Sequence, residues 1–139
     1  MKLNSLELRW VHRQAKDLIY PDILYVPKLP NASGCFYHPT KKRELLVGNR
    51  IYDLSKGMII VSERIDSIEL PNVIAHEWRH YWQFCKMGDL KGVGFDATMP
   101  YQKAIQKFFK SPIEKDALLF SHKVAPSPLS DYWLELIEP

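Results

Sequence analysis

The chain has 139 residues and a mass of 16.3 kDa, a length that predicts one domain spanning residues 1–139 with a single hydrophobic core. Its 46% hydrophobic and 25% charged residues are ordinary for a globular protein. The net charge of +3 is small and the lysines and arginines are scattered, which argues against a nucleic-acid-binding protein.

The N-terminal residues, the hydrophobic runs and the cysteines indicate the cellular compartment in which the protein is expected. Residues 1–9 lack the apolar core of a signal peptide, and no run approaches the length of a transmembrane helix. Cys35 and Cys85 form neither a disulfide framework nor a Cys-x-x-Cys metal site, and Cys85 is expected to be buried as a small apolar side chain. We therefore expect a cytoplasmic protein with no membrane partner; a single disulfide is the alternative.

The first half of the chain predicts a helix followed by short strands. Residues 4–20 carry an apolar stripe at helical spacing, with Asn4 or Ser5 as the cap and Pro21 after the end. Because the strand-like runs that follow are short and closely spaced, hairpins are favoured over crossovers, and we expect a small, mainly antiparallel or mixed sheet. The runs are residues 23–26, 35–38, 44–47 and 58–61.

The next predicted helix carries the most informative pattern in the chain, the H-E-x-x-H motif of residues 76–80. Pro71 suits the first turn of this helix, and Gly88 suits its end. His76 and His80 are four positions apart and share one helical face, so both imidazoles can reach a single ion. Catalytic zinc sites leave one position open for water, and Glu77 is placed to accept a proton from that water. The motif therefore predicts a metal-activated hydrolase.

Helical segments dominate the rest of the chain. After a glycine-containing loop, one helix is expected over residues 101–109 and another from Ser111-Pro112 onwards. A linker at residues 126–128 precedes a short capped helix over residues 130–137. The order of elements predicts an α+β fold, with an N-terminal helix, a small sheet, the motif helix and C-terminal helices.

Two histidines leave a catalytic zinc site incomplete, because such a site normally has three protein ligands. The extended motif with a third histidine would require Gly at position 83 and His at position 86, where the chain has Gln83 and Lys86. A carboxylate from a later helix is the favoured donor, and Glu114 is the strongest candidate. On spacing alone, Asp116 and His122 stay open as alternatives.

Glu114 also fits a purely structural role. The run Ser111-Pro112-Ile113-Glu114 is a capping-box sequence, with Ser at the N-cap, Pro at N1 and Glu at N3. In that role the carboxylate would reach back to the N–H of Ser111 and stabilise the helix by about 1 kcal/mol. Spacing alone does not decide between cap and ligand.

Both motifs resemble those of small zinc metallopeptidases of the gluzincin type, which are minimal domains of bacterial and phage proteins. Residues 73–83 are similar to the pattern v-l-a-H-E-x-R-H-x-w-Q, and residues 111–120 are similar to P-x-E-x-x-A-x-x-F. The resemblance covers about residues 58–121. The first motif is specific and the second moderately so.

This resemblance implies a zincin-like fold in which His76, His80 and Glu114 hold Zn²⁺. It also implies that the strand near Met58–Val61 borders the substrate cleft. The chain departs from thermolysin-like enzymes in lacking their Asn-Glu-x-x-x-Asp signature, since position 118 is Leu. The side chains that support the ligands are therefore unassigned by the resemblance.

The mechanism expected from this ligand set is hydrolysis of a peptide or protein substrate. Zinc would lower the pKa of a bound water towards about 7 and polarise the scissile carbonyl, while Glu77 would pass the water proton to the leaving amine. Arg79 and Gln83 face away from the zinc by helical phase and are expected to anchor the helix. Candidate donors to the oxyanion, each with a structural role favoured instead, are Tyr101, His122 and Tyr132.

Two other functions fit the motif. A chain of this size has no obvious second lobe to wall a deep cleft, so a zinc-binding structural or interaction module without peptidase activity is the alternative. Metal-dependent hydrolysis of a non-peptide substrate is the third. Glu77 favours an enzyme, because a structural zinc site gains nothing from an uncompensated carboxylate beside the metal. We therefore expect a zinc metallopeptidase.

Overall fold

The computed structural model describes residues 22–27, 34–37, 44–47, 49–53, 58–87 and 96–138. The helix expected over residues 4–20 and the side chain of Cys85 lie outside this description. Five strands are described: β1 (Asp22–Val26), β2 (Gly34–Tyr37), β3 (Glu44–Val47), β4 (Arg50–Asp53) and β5 (Met58–Ser62). The same residues include four helices: α1 (Leu70–Met87), α2 (Tyr101–Lys110), α3 (Pro112–Val124) and α4 (Pro128–Ile137).

The strands form a mixed sheet and a separate hairpin. In the three-stranded sheet the order is β1-β5-β2, with β5 parallel to β1 and antiparallel to β2. Strands β3 and β4 pair with each other in antiparallel fashion. The predicted α+β fold with a small mixed sheet is thus confirmed. Strand β4 (Arg50–Asp53) lies outside the four runs predicted as strands, so the sequence analysis missed it.

Strand β5 lies at the centre of the sheet rather than at its border. All five of its residues are buried, and it pairs with β1 on one side and β2 on the other. The expectation that Met58–Val61 borders a cleft is therefore wrong. The run Met-Ile-Ile-Val has no polar alternation, which is the pattern of a strand covered on both faces. β2 is the outer neighbour of β5 on the side opposite β1.

Helix α1 packs on one face of this sheet. Side chains alternate across the strands, so Ile59 and Val61 face the helix while Met58 and Ile60 face the other side. Trp78 of α1 contacts the same core as Ile59, and Phe120 of α3 packs against it. The motif helix is thereby held between the sheet and α3.

The ends of α1 agree with the sequence prediction. The helix begins at Leu70 with Pro71 in its first turn, and it runs for 18 residues to Met87, directly before Gly88. The side-chain amide of Asn72 donates to the carbonyl of Ala125 at 3.0 Å, which ties the start of α1 to the end of α3. None of the described helices combines the length and apolar character needed to cross a membrane.

Helices α2, α3 and α4 share a second apolar cluster. Ile105 and Phe109 of α2 pack with Leu118 of α3 and Ile137 of α4. Helix α4 begins at Pro128, two positions earlier than predicted, because Ser127 rather than Ser130 is its N-cap and the two serines form a reciprocal capping box. This cluster fixes α3, which carries Glu114, against its neighbours.

Candidate metal centre

Helix α1 places the two motif histidines side by side. The rings of His76 and His80 meet edge to face, with their centroids 4.8 Å apart. Together with Glu77 they form a His-Glu-His group whose potential ligand atoms all lie within 4.8 Å of one another. This group could bind a metal ion.

Glu114 of α3 meets the same two histidines. Its Oε1 lies 3.0 Å from Nε2 of His76 and 2.9 Å from Nε2 of His80. The Glu114 side chain is buried, and the two histidines are also largely shielded from solvent. The structure therefore brings together the three residues that the family resemblance implies as a ligand set.

The capping role proposed for Glu114 is not formed. Ser111 occupies the N-cap position of α3 but makes no side-chain cap bond. Its hydroxyl donates instead to the carbonyl of Phe108 at 2.9 Å. The Glu114 carboxylate contacts the histidines.

The two alternative third ligands are engaged elsewhere. Asp116 accepts two hydrogen bonds from Arg79, at 2.9 Å from Nε and 3.2 Å from Nη2. His122 lies with Nδ1 2.8 Å from the hydroxyl of Ser130 and with Nε2 3.5 Å from a carboxylate oxygen of Asp131. Asp116 thus anchors α1 to α3, and His122 joins α3 to α4.

Gln83 contributes to the site in a way that the sequence did not indicate. Its Oε1 lies 2.9 Å from Nδ1 of His80, on the side of the ring opposite Glu114. Its Nε2 donates to the carbonyl of Ile113 at 3.0 Å and to Oδ2 of Asp116 at 2.8 Å. Gln83 and Arg79 do anchor the helix, as predicted, but Gln83 also touches a motif histidine. The three-residue separation of positions 80 and 83 was the available signal.

Glu77 is a buried carboxyl group packed against the edge strand. Burial raises the pKa of Glu77 above its usual value, and the neighbouring His80 and His76 only partly oppose that shift. Gly34 of β2 lies against it, because a Cβ on Gly34 would be 3.2 Å from Cγ of Glu77 and 2.9 Å from Cγ1 of Val73. The sequence analysis did not single out Gly34, so this close approach was missed.

His80 and Glu114 shift each other's pKa strongly. Burial opposes ionisation of Glu114, but the hydrogen bonds to His76 and His80 outweigh it and lower the pKa of Glu114 to about 2. Burial likewise disfavours the charged form of His80, yet the contact with Glu114 and the negative charge of Glu77 raise its pKa to about 9. The contacts with Glu114 and Glu77 therefore favour the charged form of His80.

The three candidate oxyanion donors make other contacts. The phenol oxygen of Tyr101 accepts from the indole of Trp133 at 3.4 Å, and that of Tyr132 accepts from the side-chain amide of Gln102 at 3.3 Å. These contacts, like those of His122, join α2, α3 and α4 to one another. They agree with the structural roles favoured for all three.

Comparisons of the chain with models of protein families, with curated proteins and with solved structures found no match. The assignment of a function therefore depends on the motif and on the geometry of this site.

Proposed function

We propose that this protein is a zinc-dependent metallopeptidase of the gluzincin type, with His76, His80 and Glu114 as the zinc ligands and Glu77 as the general base. The observation that carries the proposal is the position of one Glu114 oxygen, within 3.0 Å of Nε2 of both histidines. Three donor atoms from two helices thus converge on one small volume.

The chemistry of these donors fits zinc. Two imidazole nitrogens and one carboxylate oxygen form a ligand set typical of catalytic zinc in peptidases. Magnesium and calcium favour sites built from oxygen atoms alone, which His76 and His80 do not provide. A zinc ion held here would supply a Lewis acid and lower the pKa of a water towards about 7.

Glu77 has the properties that a general base needs. It directly follows the first histidine on α1, and its potential donor atom lies within 4.8 Å of those of both histidines. A buried carboxylate is costly unless it is compensated, so its place beside the histidines favours a chemical role. Held beside a bound zinc, it would accept the proton of the attacking water and pass it to the leaving amine.

The test is a comparison of wild type with Glu77→Gln, using protein loaded with one equivalent of zinc and a peptide library or casein as substrate. We expect Glu77→Gln to retain zinc and to lose about 10²- to 10⁴-fold in turnover, because only the proton transfer is removed. Its melting temperature should equal or exceed that of wild type, since a costly buried charge is gone.

Glu63→Gln is the matched control, because Glu63 is exposed and lies between β5 and α1. It should leave both zinc content and turnover unchanged. Wild-type turnover in Glu77→Gln would contradict the role of Glu77. A wild type that holds zinc and cleaves no peptide would contradict the peptidase and leave the zinc-binding module in its place.

A further inference from the structure

Both the oxygen and the nitrogen of the Gln83 side-chain amide make hydrogen bonds. Gln83 is only 2% exposed, and its Nε2 faces the carbonyl of Ile113 and a carboxylate oxygen of Asp116. Both of these groups accept hydrogen bonds, so the atom between them has to be the NH₂ group. The orientation of the amide is therefore fixed, with its oxygen turned towards His80.

The fixed amide determines which nitrogen of His80 carries hydrogen. An amide oxygen can only accept, so Nδ1 of His80, at 2.9 Å, has to be the donor. Nε2, which lies 2.9 Å from Oε1 of Glu114, is then the nitrogen that can give up its hydrogen and offer a lone pair to a metal. We infer that Gln83 is a positioning residue that holds His80 in the tautomer able to bind a metal; this inference rests on the proposed function.

Asp116 and Arg79 extend this support. Asp116 accepts from Gln83 at 2.8 Å and from Arg79 at 2.9 and 3.2 Å. The Arg79 guanidinium stacks 3.9 Å from the ring centre of Trp82 and 4.9 Å from that of Phe120, so it is itself held in place. A continuous chain of contacts thus runs from Arg79 through Asp116 and Gln83 to His80.

The position of Asp116 couples the two helices. Asp116 lies two residues after Glu114 on α3, so one helix supplies a ligand and also orients a ligand on α1. Metal-bound histidines usually donate their second nitrogen directly to a carboxylate or carbonyl. In this protein the carboxylate of Asp116 acts on His80 through the amide of Gln83.

The first experiment measures zinc affinity of Gln83→Leu by competition with a chromophoric chelator. Loss of such a supporting contact lowers metal affinity by about 10- to 100-fold, and we expect a loss in that range. Gln106→Leu is the matched control, because it removes a similar side-chain bond, to the carbonyl of Leu136 at 2.9 Å, on α2. It should bind zinc as wild type does.

A second pair of variants separates positioning from folding. Gln83→Glu keeps an acceptor for His80 but places a carboxylate against Asp116, so its zinc affinity should fall. Adding Asp116→Asn restores a donor opposite position 83 and should recover part of the zinc affinity. A double-mutant cycle measures this coupling between positions 83 and 116. The ¹⁵N resonances of His80 in zinc-loaded protein should show hydrogen on Nδ1 in wild type.

The outcomes distinguish this inference from the proposed function. A wild type that takes up no zinc would overturn both. A wild type that binds zinc while Gln83→Leu binds it equally tightly would overturn the positioning role alone. Hydrogen on Nε2 of His80 in zinc-loaded wild type would overturn the positioning role and would also contradict Nε2 of His80 as a ligand atom.

Discussion

Glu114 stands at the third position of α3, where a glutamate ordinarily reaches back to the N-cap. Here that reach is not used, because the Ser111 hydroxyl bonds to the carbonyl of Phe108 and the Glu114 carboxylate turns to the histidines. The same position on a helix thus serves two roles that the sequence alone cannot separate. The packing of α3 against α1 decides between these roles, because it brings the histidines of α1 within reach of the Glu114 carboxylate.

The variant Glu114→Gln distinguishes those roles. We expect it to lose most of its zinc affinity and all activity, because a neutral amide is a poor zinc ligand. If Glu114 merely capped the helix, Glu114→Gln would change zinc content and activity little, since Gln also serves at N3 of a capping box. The measurements are zinc content after dialysis and turnover at saturating zinc.

Ser111→Ala is the control for that experiment. Because its hydroxyl does not cap α3, the variant should keep full zinc binding. Full zinc content and activity in Glu114→Gln would count decisively against Glu114 as a ligand.

The proximity of His76, Glu77 and His80 could be predicted from the sequence for a physical reason. His76, Glu77 and His80 are related by helical periodicity, which is local and readable. The contacts of Gln83 with Ile113 and of Gly34 with Val73 join distant parts of the chain, and no local pattern encodes them. Supporting residues are for this reason harder to predict than ligands.

At the scale of the elements, β2 approaches α1 closely at Gly34. Gly34 begins β2 opposite Val61 of β5, and the backbone passes close to α1 there. A methyl group on Gly34 would be 2.9 Å from Cγ1 of Val73 and 3.3 Å from the carbonyl oxygen of Ile60. The carbonyl cannot turn away without disturbing the central strand, so the edge strand or the helix has to move.

We therefore expect Gly34→Ala to destabilise the protein by about 1–3 kcal/mol, the usual cost of overpacking, and to lower turnover by displacing Glu77. Urea unfolding and a peptide assay measure the two effects. Adding Val73→Ala removes the closest contact and should recover part of both. Wild-type stability in Gly34→Ala would show that β2 and α1 are less tightly packed than described.

Local sequence patterns predicted most of the strands but not how the strands pair. Each of the four runs expected as strands coincides with a strand, except that residue 38 lies outside the described part of the chain. The fully apolar run at residues 58–61 already had the composition of a central strand. Pairing was the harder part. The parallel alignment of β1 with β5 skips over β2, β3 and β4 in the sequence, and composition does not specify such a non-local choice.

At the scale of the whole molecule, the proposed ligands belong to two helices, 38 positions apart for His76 and Glu114 and 34 for His80 and Glu114. An unfolded chain cannot hold them together, so zinc is expected to bind the folded state and stabilise it by mass action. Removing zinc with a chelator should therefore lower the melting temperature.

The size of that decrease should depend on pH. In the metal-free protein the pKa of His80 is raised to about 9, so its stabilising contribution is complete below its ordinary value near 6.5 and disappears as pH rises through 9. Zinc competes with that proton, so its affinity rises over the same interval. The gap between loaded and metal-free melting temperatures should widen from pH 6.5 to 9.

Thermal unfolding with and without chelator at several pH values measures this gap. Glu114→Gln is the control and should show little response to the chelator at any pH. A gap in wild type that narrows as the pH rises would contradict the assigned ligand set.

The position of β5 between β1 and β2 determines when the sheet can form during synthesis of the chain. Among the described strands, β1 and β2 share no hydrogen bonds, and each pairs only with residues of β5. During synthesis both strands emerge from the ribosome before their common partner, so the complete sheet cannot form until Ser62 has emerged. Helix α1 follows directly, and Glu114 emerges later still. Uptake of the proposed zinc would then belong to the last stage of folding, after the sheet has formed.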